Sequence, residues 1–305
     1  MSFTTIKRIE EILQYVNDFG EAEACTKFSI NIETLHRYMR KKNFTETKNP
    51  QVILIDVETS PIRAYAWGTF KQYIPHTSII DSSFMISWAA KHLFSAQVMS
   101  DVLTPEEAIE KNDNRIVNSI WKVMENASIL VAHNAKKFDL RYANTRFLMN
   151  GLKPPSPYQT IDTLEIAKKY FLFPSNKLDY LGILIHNKGK LKTDFDLWIR
   201  CLKGDAEALH YMVTYNKEDV QLLEDVYLSL RPWMRSHPNI SIYQEAKEKA
   251  CPTCGSTDIT ECGHYTTMVN QYLAFRCNSC GAICRNRTSD IPIEQKKNIL
   301  RSTAR

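Results

Sequence analysis

The amino-acid sequence predicts an α/β fold, with a small helical domain before it and a small metal-binding module after it. Between about residues 50 and 235, short apolar runs bounded by turn residues alternate with stretches of helical periodicity. This alternation is typical of α/β domains. Residues 1–48 show helical periodicity alone, two Cys-x-x-Cys-Gly pairs lie within residues 250–287, and residues 288–305 form a basic tail.

The composition is that of a globular protein, since 44% of the 305 residues are hydrophobic and 24% are charged. This length favours one large domain with small attachments, or two domains. The net charge of +5 permits a polyanionic partner without requiring one. No apolar stretch approaches the length of a membrane span, and the start MSFTTIKRIE contains no apolar signal-peptide core. We therefore expect no membrane partner and a cytoplasmic location.

Residues 1–48 are expected to form a helix-turn-helix-like domain. Apolar residues at helical spacing mark the first helix: Ile6, Ile9, Ile12, Leu13 and Val16. A second helix is predicted over residues 21–28, and Asn31 is a good N-cap for a third. This third helix would enter a major groove, with Arg37 and Arg40 facing outward. Because acids and bases are nearly equal in number here, a three-helix module that docks on another protein remains the alternative.

A buried strand is predicted at residues 52–57, where apolar residues run without interruption up to Asp56. Asp56 and Glu58 are two residues apart, so their side chains point to the same face of the strand. Two adjacent carboxylates raise each other's pKa unless a positive charge lies between them. A hard divalent cation is the natural partner, although pairs of acids also occur at strand ends without a metal.

The remaining elements of this domain continue the alternation. Apolar patterning predicts further strands around residues 74, 79–80, 85–88 and 128–132. Periodicity and start signals predict helices that begin at Pro105, span residues 114–126 and 138–149, begin again at residues 161–164, and span residues 205–233.

Two further acids are placed where they could join Asp56 and Glu58. Asp139 follows a buried strand at the start of a helix, a position where α/β folds usually bind ligands. Asp219 lies one helical turn after Tyr215, so both side chains share one face. Four carboxylates gathered without basic partners are costly unless cations neutralise them. Two Mg²⁺ or Mn²⁺ ions about 3.5–4 Å apart would do so and would form a site for phosphodiester cleavage.

Three motifs, ILIDVETS, HNAKKFD and YNKEDV, resemble in order and context those of DEDD 3′–5′ exonucleases. The likeness covers about residues 50–235, and its Tyr215-x-x-x-Asp219 form is that of the tyrosine subclass. The chain looks most like exonuclease-like proteins of phage and bacterial genomes, and a phage-encoded protein would work in the host cytoplasm. The resemblance implies a ribonuclease-H-like mixed sheet with flanking helices.

The resemblance also implies an activity, the metal-dependent 3′–5′ removal of nucleotides from nucleic-acid 3′ ends by a two-metal-ion mechanism. Asp56, Glu58 and Asp219 would hold the catalytic Mg²⁺ or Mn²⁺, with Asp56 bridging to a second ion held by Asp139. Tyr215 would orient the attacking water. DNA is favoured over RNA as the partner, and a replication or polymerase protein is a further candidate.

Two alternative functions stay open. One is an RNA-directed or structure-specific nuclease, because two-metal cleavage does not read the 2′-hydroxyl. The other is a non-catalytic adaptor that binds nucleic acid through the same fold. The presence of all four mutually repelling acids disfavours the adaptor.

Substrate contacts are predicted at Asn134 and Trp67. Asn134 could contact the substrate strand, although after a buried strand it more often satisfies backbone groups. Trp67 and its neighbour Tyr65 could stack on a terminal base, although aromatic residues beside a strand more often belong to the core. Asp162 is expected to cap a helix.

The paired cysteines predict one structural Zn²⁺. Of eight cysteines, Cys251, Cys254, Cys277 and Cys280 form two Cys-x-x-Cys-Gly knuckles, a strong signal for a tetrahedral zinc site. The segment resembles a zinc ribbon, and Cys284 is the rival ligand. A ribbon this small has almost no core, so zinc is expected to fold it.

The zinc ribbon also carries basic and aromatic residues. Arg276, Arg285 and Arg287 lie near Tyr272 and Phe275 in the sequence. These arginines could grip a nucleic-acid backbone. A protein-docking role for the ribbon is the alternative.

Overall fold

The computed structural model describes residues 11, 12, 15, 16, 20–36, 50–244 and 248–301. Contacts divide the chain into two compact units. The first combines the N-terminal residues up to Asn49 with Ser241–Glu248, and the second combines Pro50–Ile240 with the residues from Lys249 onward.

The larger unit is built on strands β1 (Val52–Thr59), β2 (Arg63–Ala64), β3 (Ile79–Asp81), β4 (Met85–His92), β5 (Val98–Val102), β6 (Ile129–Ala132) and β7 (Gln159–Asp162). Five of them form one sheet in the order β5-β4-β1-β6-β7. The pairs β1/β4 and β4/β5 are antiparallel, whereas β1/β6 and β6/β7 are parallel. The predicted α/β fold class, a mixed sheet with flanking helices, is therefore confirmed. Residue 74 lies outside any strand of the structure, so the strand predicted around it is wrong.

The described helices are α1 (Glu21–Phe28), α2 (Pro105–Glu110), α3 (Asn114–Glu125), α4 (Asp139–Met149), α5 (Thr163–Tyr170), α6 (Leu178–His186), α7 (Phe195–Leu202), α8 (Ala206–Leu230) and α9 (Ile293–Lys296). Local sequence signals define where helices begin. Before α2, Thr104 forms a capping box with Glu107. Asp162 accepts hydrogen bonds from Leu164 and Glu165 backbone N–H groups, as expected of a cap. No helix among the described residues is long and apolar enough to cross a membrane.

The sheet separates two apolar clusters, and β1 contributes to both because its side chains alternate. Ile53 and Ile55 pack in the cluster that includes α3 and α4. Leu54 belongs to the other cluster, with Val220 and Leu223 of α8. Since Asp56 and Glu58 follow Leu54 at even spacing, they lie on the α8 side of the sheet.

Helix α8 is held on the sheet by polar contacts as well as apolar ones. The buried Lys91 on β4 forms an ion pair with Glu224 of α8, which also accepts a hydrogen bond from the Phe94 backbone N–H at 2.7 Å. The Ser87 hydroxyl of β4 donates to the Asn216 side-chain oxygen at 3.2 Å. A buried charge that loses its partner is strongly destabilising, so these contacts fix the position of α8 along β4.

The N-terminal unit matches part of the predicted helical pattern. After α1, Ser29 adopts a left-handed φ of 50°, and the Asn31 side chain accepts a hydrogen bond from the Thr34 backbone N–H at 2.7 Å. Residues 32–36 are helical, and Leu35 is buried with Ile12. Arg37 and Arg40 of the predicted third helix lie outside the described residues.

The cysteine-rich segment forms a three-stranded antiparallel sheet of β8 (Ile259–Thr266), β9 (Gln271–Cys277) and β10 (Ile283–Arg285), with β9 in the centre. It continues the larger unit, because the Ile240 backbone N–H donates to the Pro252 carbonyl at 2.7 Å. The tail that follows includes the short helix α9.

A candidate carboxylate metal site and a four-cysteine cluster

The structure brings together three of the four predicted acids. Asp56 and Glu58 extend from β1 and Asp219 from α8, and each offers an oxygen within 4.8 Å of the other two. Period-two alternation on β1 aims the first pair at α8. Asp219 lies on the buried face of that helix, where it is 1% exposed.

Asp139 is adjacent to this group but outside it. It opens α4 and is 3% exposed. Its Oδ1 accepts a hydrogen bond from the Val57 backbone N–H at 3.2 Å. Asp139 is therefore fixed to β1 at the residue between Asp56 and Glu58. Burial, followed by repulsion from Asp56, holds the pKa of Asp139 well above its ordinary value.

Lys190 is the main residue of the site that the sequence did not predict. Its Nζ donates to Asp219 and, at 3.2 Å, to the Tyr215 hydroxyl. The backbone N–H of Lys190 donates to Asp179 Oδ1 at 2.7 Å, which anchors the loop before α7. In the sequence it lies in a polar lysine-rich stretch between helices, and nothing local separates it from a solvent-exposed lysine.

Asn216 supports Asp56 from the same helix. Its side-chain amide donates to Asp56 Oδ2 at 2.5 Å, while its oxygen accepts from Ser87. The side chain is fully buried, and its hydrogen bond to Ser87 forms away from water. The adjacency of Asn216 to Tyr215 in the YNKEDV motif was the available signal for this residue.

Tyr215 shares the α8 face of Asp219, as its four-residue spacing predicted. Its ring contacts Trp198 edge-on, with centroids 6.5 Å apart, and the Lys190 ammonium lies 5.2 Å from the ring centroid. Burial, followed by the charge of Asp219, raises the pKa of Tyr215. The hydroxyl therefore stays protonated at neutral pH.

Burial is the main cause of the raised pKa values of the carboxyl groups in the site. It raises the pKa of Asp219 to about 7, with repulsion from Asp56 adding to it and Lys190 opposing it. Burial and the neighbouring carboxylates hold the pKa of Glu58 well above its ordinary value. For Asp56, burial raises the pKa and Lys190 and Asn216 reduce the effect. A single ammonium group does not balance the charge of these acids.

The cluster of three carboxylates, from Asp56, Glu58 and Asp219, fits a divalent cation. Oxygen ligands about 2.1 Å from Mg²⁺ lie within about 4.2 Å of one another, and the three carboxylates offer oxygens within 4.8 Å of one another. Asp219 Oδ1 is buried and has no hydrogen-bond partner among the described residues. Asp56, Glu58 and Asp219 could therefore hold a divalent metal ion, with Asp139 beside them.

The predicted substrate residues have different surroundings. Asn134 is half-buried at a positive φ of 75°, and its backbone N–H donates to the Asp162 carboxylate at 3.0 Å. Trp67 is fully exposed and Tyr65 is 78% exposed, so neither belongs to the core. The substrate roles of Asn134 and Trp67 stay predictions.

The four cysteines form the second cluster. The Sγ atoms are 3.7 Å apart between Cys251 and Cys280 and 3.5 Å apart between Cys254 and Cys277. A tetrahedral zinc with bonds of about 2.3 Å to sulfur places its ligands about 3.8 Å apart. The four side chains therefore fit one Zn²⁺, whereas Cys284 is not in this group.

Raising the pH is expected to destabilise the protein when exchangeable metal has been removed. The pKa of Asp219 rises from 3.8 to about 7 on folding. Its proton therefore favours the folded state at low pH, and this contribution is lost as the pH rises through about 7. Thermal unfolding from pH 5 to 8 in resin-treated buffer should show a Tm decline that is smaller in Asp219→Asn. Added Mn²⁺ should restore the Tm of the wild type at pH 8.

The control is Asp225→Asn, which removes a more exposed carboxylate from the same helix and should keep the decline of the wild type. Strong chelators must be avoided because they would also remove zinc. An equal slope in Asp219→Asn and wild type would contradict the assigned pKa.

Purified protein is expected to contain one zinc per chain. Cys251→Ser should lose this zinc and unfold the ribbon, because thiolate ligands fold such small modules. Cys262→Ser and Cys284→Ser serve as matched controls, since neither residue belongs to the four-cysteine cluster. Elemental analysis of the four proteins measures the outcome, and loss of zinc from Cys284→Ser would reassign the ligand set.

No protein-family model matches the chain, and no curated protein matches it. Among solved structures, the chain is similar to the family B DNA polymerase from the hyperthermophilic archaeon Pyrobaculum calidifontis, with 12% identity and a TM-score of 0.44. The match covers 61% of this chain and 26% of the polymerase chain, so this chain spans about a quarter of the polymerase.

Proposed function

We propose that this protein is a metal-dependent 3′–5′ exonuclease of the DEDD tyrosine subclass, acting by a two-metal-ion mechanism. The proposal rests on the clustering of the Asp56, Glu58 and Asp219 carboxylates, with Tyr215 one helical turn from Asp219. Buried carboxylates crowd together at a cost, and a bound cation is the chemistry that offsets it. The order of the motifs in the sequence supports the assignment to the subclass.

Asp56, Glu58 and Asp219 would hold one ion, and Asp139 would contribute to a second that Asp56 shares. When bound, such ions supply a nucleophile at neutral pH and stabilise the charge that develops on the leaving oxygen. The Val57 backbone N–H keeps Asp139 turned toward β1, and Asn216 keeps Asp56 in place. The chain thus orients its acids without relying on flexible surface contacts.

Tyr215 would orient the attacking water. Its hydroxyl is protonated at neutral pH, accepts a hydrogen bond from Lys190 at 3.2 Å and interacts with the Asp219 carboxylate, so it is held beside the acids that would bind the metal. Lys190 positions both Tyr215 and Asp219 and offsets part of the negative charge. We assign it the role of a positioning residue.

The 3′ end of the nucleic-acid strand would enter beside Trp198. An open groove of about 360 Å³ runs along Pro61, Thr193, Phe195 and Trp198, and Trp198 contacts Tyr215. Phe195 is 65% exposed, so its ring is available to stack on a base, a contact that tolerates any sequence. Trp67 would provide a second stacking surface.

DNA is the favoured substrate, with an RNA-directed or structure-specific nuclease as the second candidate. Nothing in the carboxylate chemistry reads a 2′-hydroxyl. The non-catalytic adaptor is disfavoured because an empty site gains nothing from buried acids that repel one another. We also propose a replication or polymerase protein as a partner and the cytoplasm as the place of action.

Asp56→Asn and Asp219→Asn are each expected to lower nuclease activity by orders of magnitude, because each removes a metal ligand. The assay uses Mg²⁺ or Mn²⁺ with 5′-labelled single-stranded and duplex DNA and RNA. The wild type should shorten the strand stepwise from its 3′ end, and a blocked 3′ end should resist. Asp225→Asn is the matched control and should keep full activity.

Three outcomes would contradict this proposal in different parts. Full activity in Asp56→Asn would reject the site, and cleavage of circular single strands would reject the exonuclease mode. Absence of cleavage by the wild type on every substrate, with Mn²⁺ still bound, would favour the adaptor.

Tyr215→Phe is expected to slow single-turnover cleavage by about 10²–10⁴-fold while leaving Mn²⁺ affinity almost unchanged. The substitution removes the oxygen but keeps the ring that packs against Trp198. Tyr211→Phe is the matched control, because the Tyr211 hydroxyl donates to the Lys192 carbonyl at 3.0 Å and not to an acid of the metal site. An unchanged rate in Tyr215→Phe would make Tyr215 a packing residue and would remove the subclass assignment.

A further inference from the structure

The three-stranded ribbon sheet has one face turned away from the four-cysteine cluster. Strand pairing defines this face, because residues directly opposite each other point the same way and every second residue of a strand shares a face. Tyr265 pairs with Tyr272, and Arg276 pairs with both Thr260 and Ile283. We call this the outer ribbon face: Thr260, Tyr265, Tyr272, Arg276, Ile283 and Arg285.

Arg285 lies between two aromatic rings on this face. Its guanidinium carbon is 3.9 Å from the Tyr272 ring centroid and 5.4 Å from that of Tyr265. Its pairing partner on β9 is the small residue Ala274, which leaves room for the guanidinium to lie across the sheet. Its Nη1 donates to the Asn286 carbonyl at 3.0 Å, so the stacked group is held in place.

The charge on the outer ribbon face is of one sign. Arg276 and Arg285 are its charged residues, and neither forms an ion pair with an acid in the described part of the chain. Glu261, the acid of β8, pairs with Phe275 and therefore belongs to the opposite face. The surface thus presents two planar cations beside the exposed ring of Tyr265 and the half-buried ring of Tyr272, which complements a ligand that has phosphates and flat bases.

We propose that the outer ribbon face binds single-stranded nucleic acid. Arg276 and Arg285 contact successive phosphates, with the bidentate geometry that guanidinium groups favour. Tyr265, which is 49% exposed, stacks on an unpaired base. Stacking requires a base outside a duplex, so a single strand fits this face better than a double helix. The site is separate from the carboxylate group and does not depend on cleavage.

Binding is tested with the whole chain carrying Asp56→Asn, so that the oligonucleotide is not degraded and the zinc is retained. Fluorescence anisotropy measures the affinity for a labelled oligothymidylate and for a duplex at several salt concentrations. Arg276→Ala with Arg285→Ala should weaken single-strand binding at least about tenfold. The salt slope should fall by about 1.4, since each phosphate contact in a single strand contributes about 0.7.

The matched control removes the same charge elsewhere, through Lys296→Ala with Lys297→Ala on and beside α9, and should bind like the parent. Tyr265→Ala should weaken binding by about tenfold with the salt slope unchanged, which separates stacking from charge. Zinc analysis of every variant verifies that the ribbon is still folded.

Two outcomes would overturn the proposal. One is equal single-strand affinity in the double arginine variant and the lysine control. The other is a loss of affinity confined to the duplex, which would make this a duplex-binding surface. Since Asp56→Asn is already present throughout, failure of the nuclease proposal would leave these binding results unchanged, and the reverse also holds.

Discussion

The mutual repulsion of buried carboxylates is the constraint on which the larger unit depends. Asp56, Glu58 and Asp219 are held within 4.8 Å of one another, and burial raises the pKa of each. Separation would relieve this repulsion, so the surrounding fold has to prevent it. Lys190 compensates part of the charge through its ion pair with Asp219, which leaves an excess of negative charge suited to cations.

The fold resists that repulsion by fixing α8 against the sheet at several points. The Lys91–Glu224 ion pair and the Ser87–Asn216 hydrogen bond join β4 to α8. Because β4 is also paired with β1, β1 and α8, which carry the acids, cannot move apart without breaking buried polar contacts. Such contacts are costly to break, since each leaves an unpaired charge or polar group away from water.

The parts of the site that the sequence predicted are those with a local signature. Asp56 and Glu58 follow from strand alternation, Tyr215 and Asp219 from helical spacing, and the four zinc-ligand candidates from paired cysteines. Lys190 could not be predicted in this way, because its place beside Asp219 depends on a loop that Asp179 of the preceding helix α6 anchors. Its role is a product of tertiary structure alone.

Two local interpretations were incomplete for different physical reasons. Residues 161–164 were expected to begin a helix, yet Ile161 and Asp162 end the short strand β7 before α5 starts. Asp162 serves both elements, so the boundary carries no separate signal. For Trp67, the alternative of a core position was based on its place beside a strand, but it lies in an irregular segment between β2 and β3 and is fully exposed.

The length of α8 has a consequence for how this chain could change by insertion or deletion. Asp219 faces β1, whereas Glu224 and Tyr227 are fixed further along the same helix, to Lys91 and to His237. Each inserted residue turns the following part of an α-helix by about 100° and advances it by about 1.5 Å. A single insertion between Asp219 and Glu224 would therefore turn either the acid or the ion pair away from its partner. Substitution at the exposed Gln221 leaves that register intact, so this position tolerates a change of residue type where the stretch around it does not tolerate a change of length.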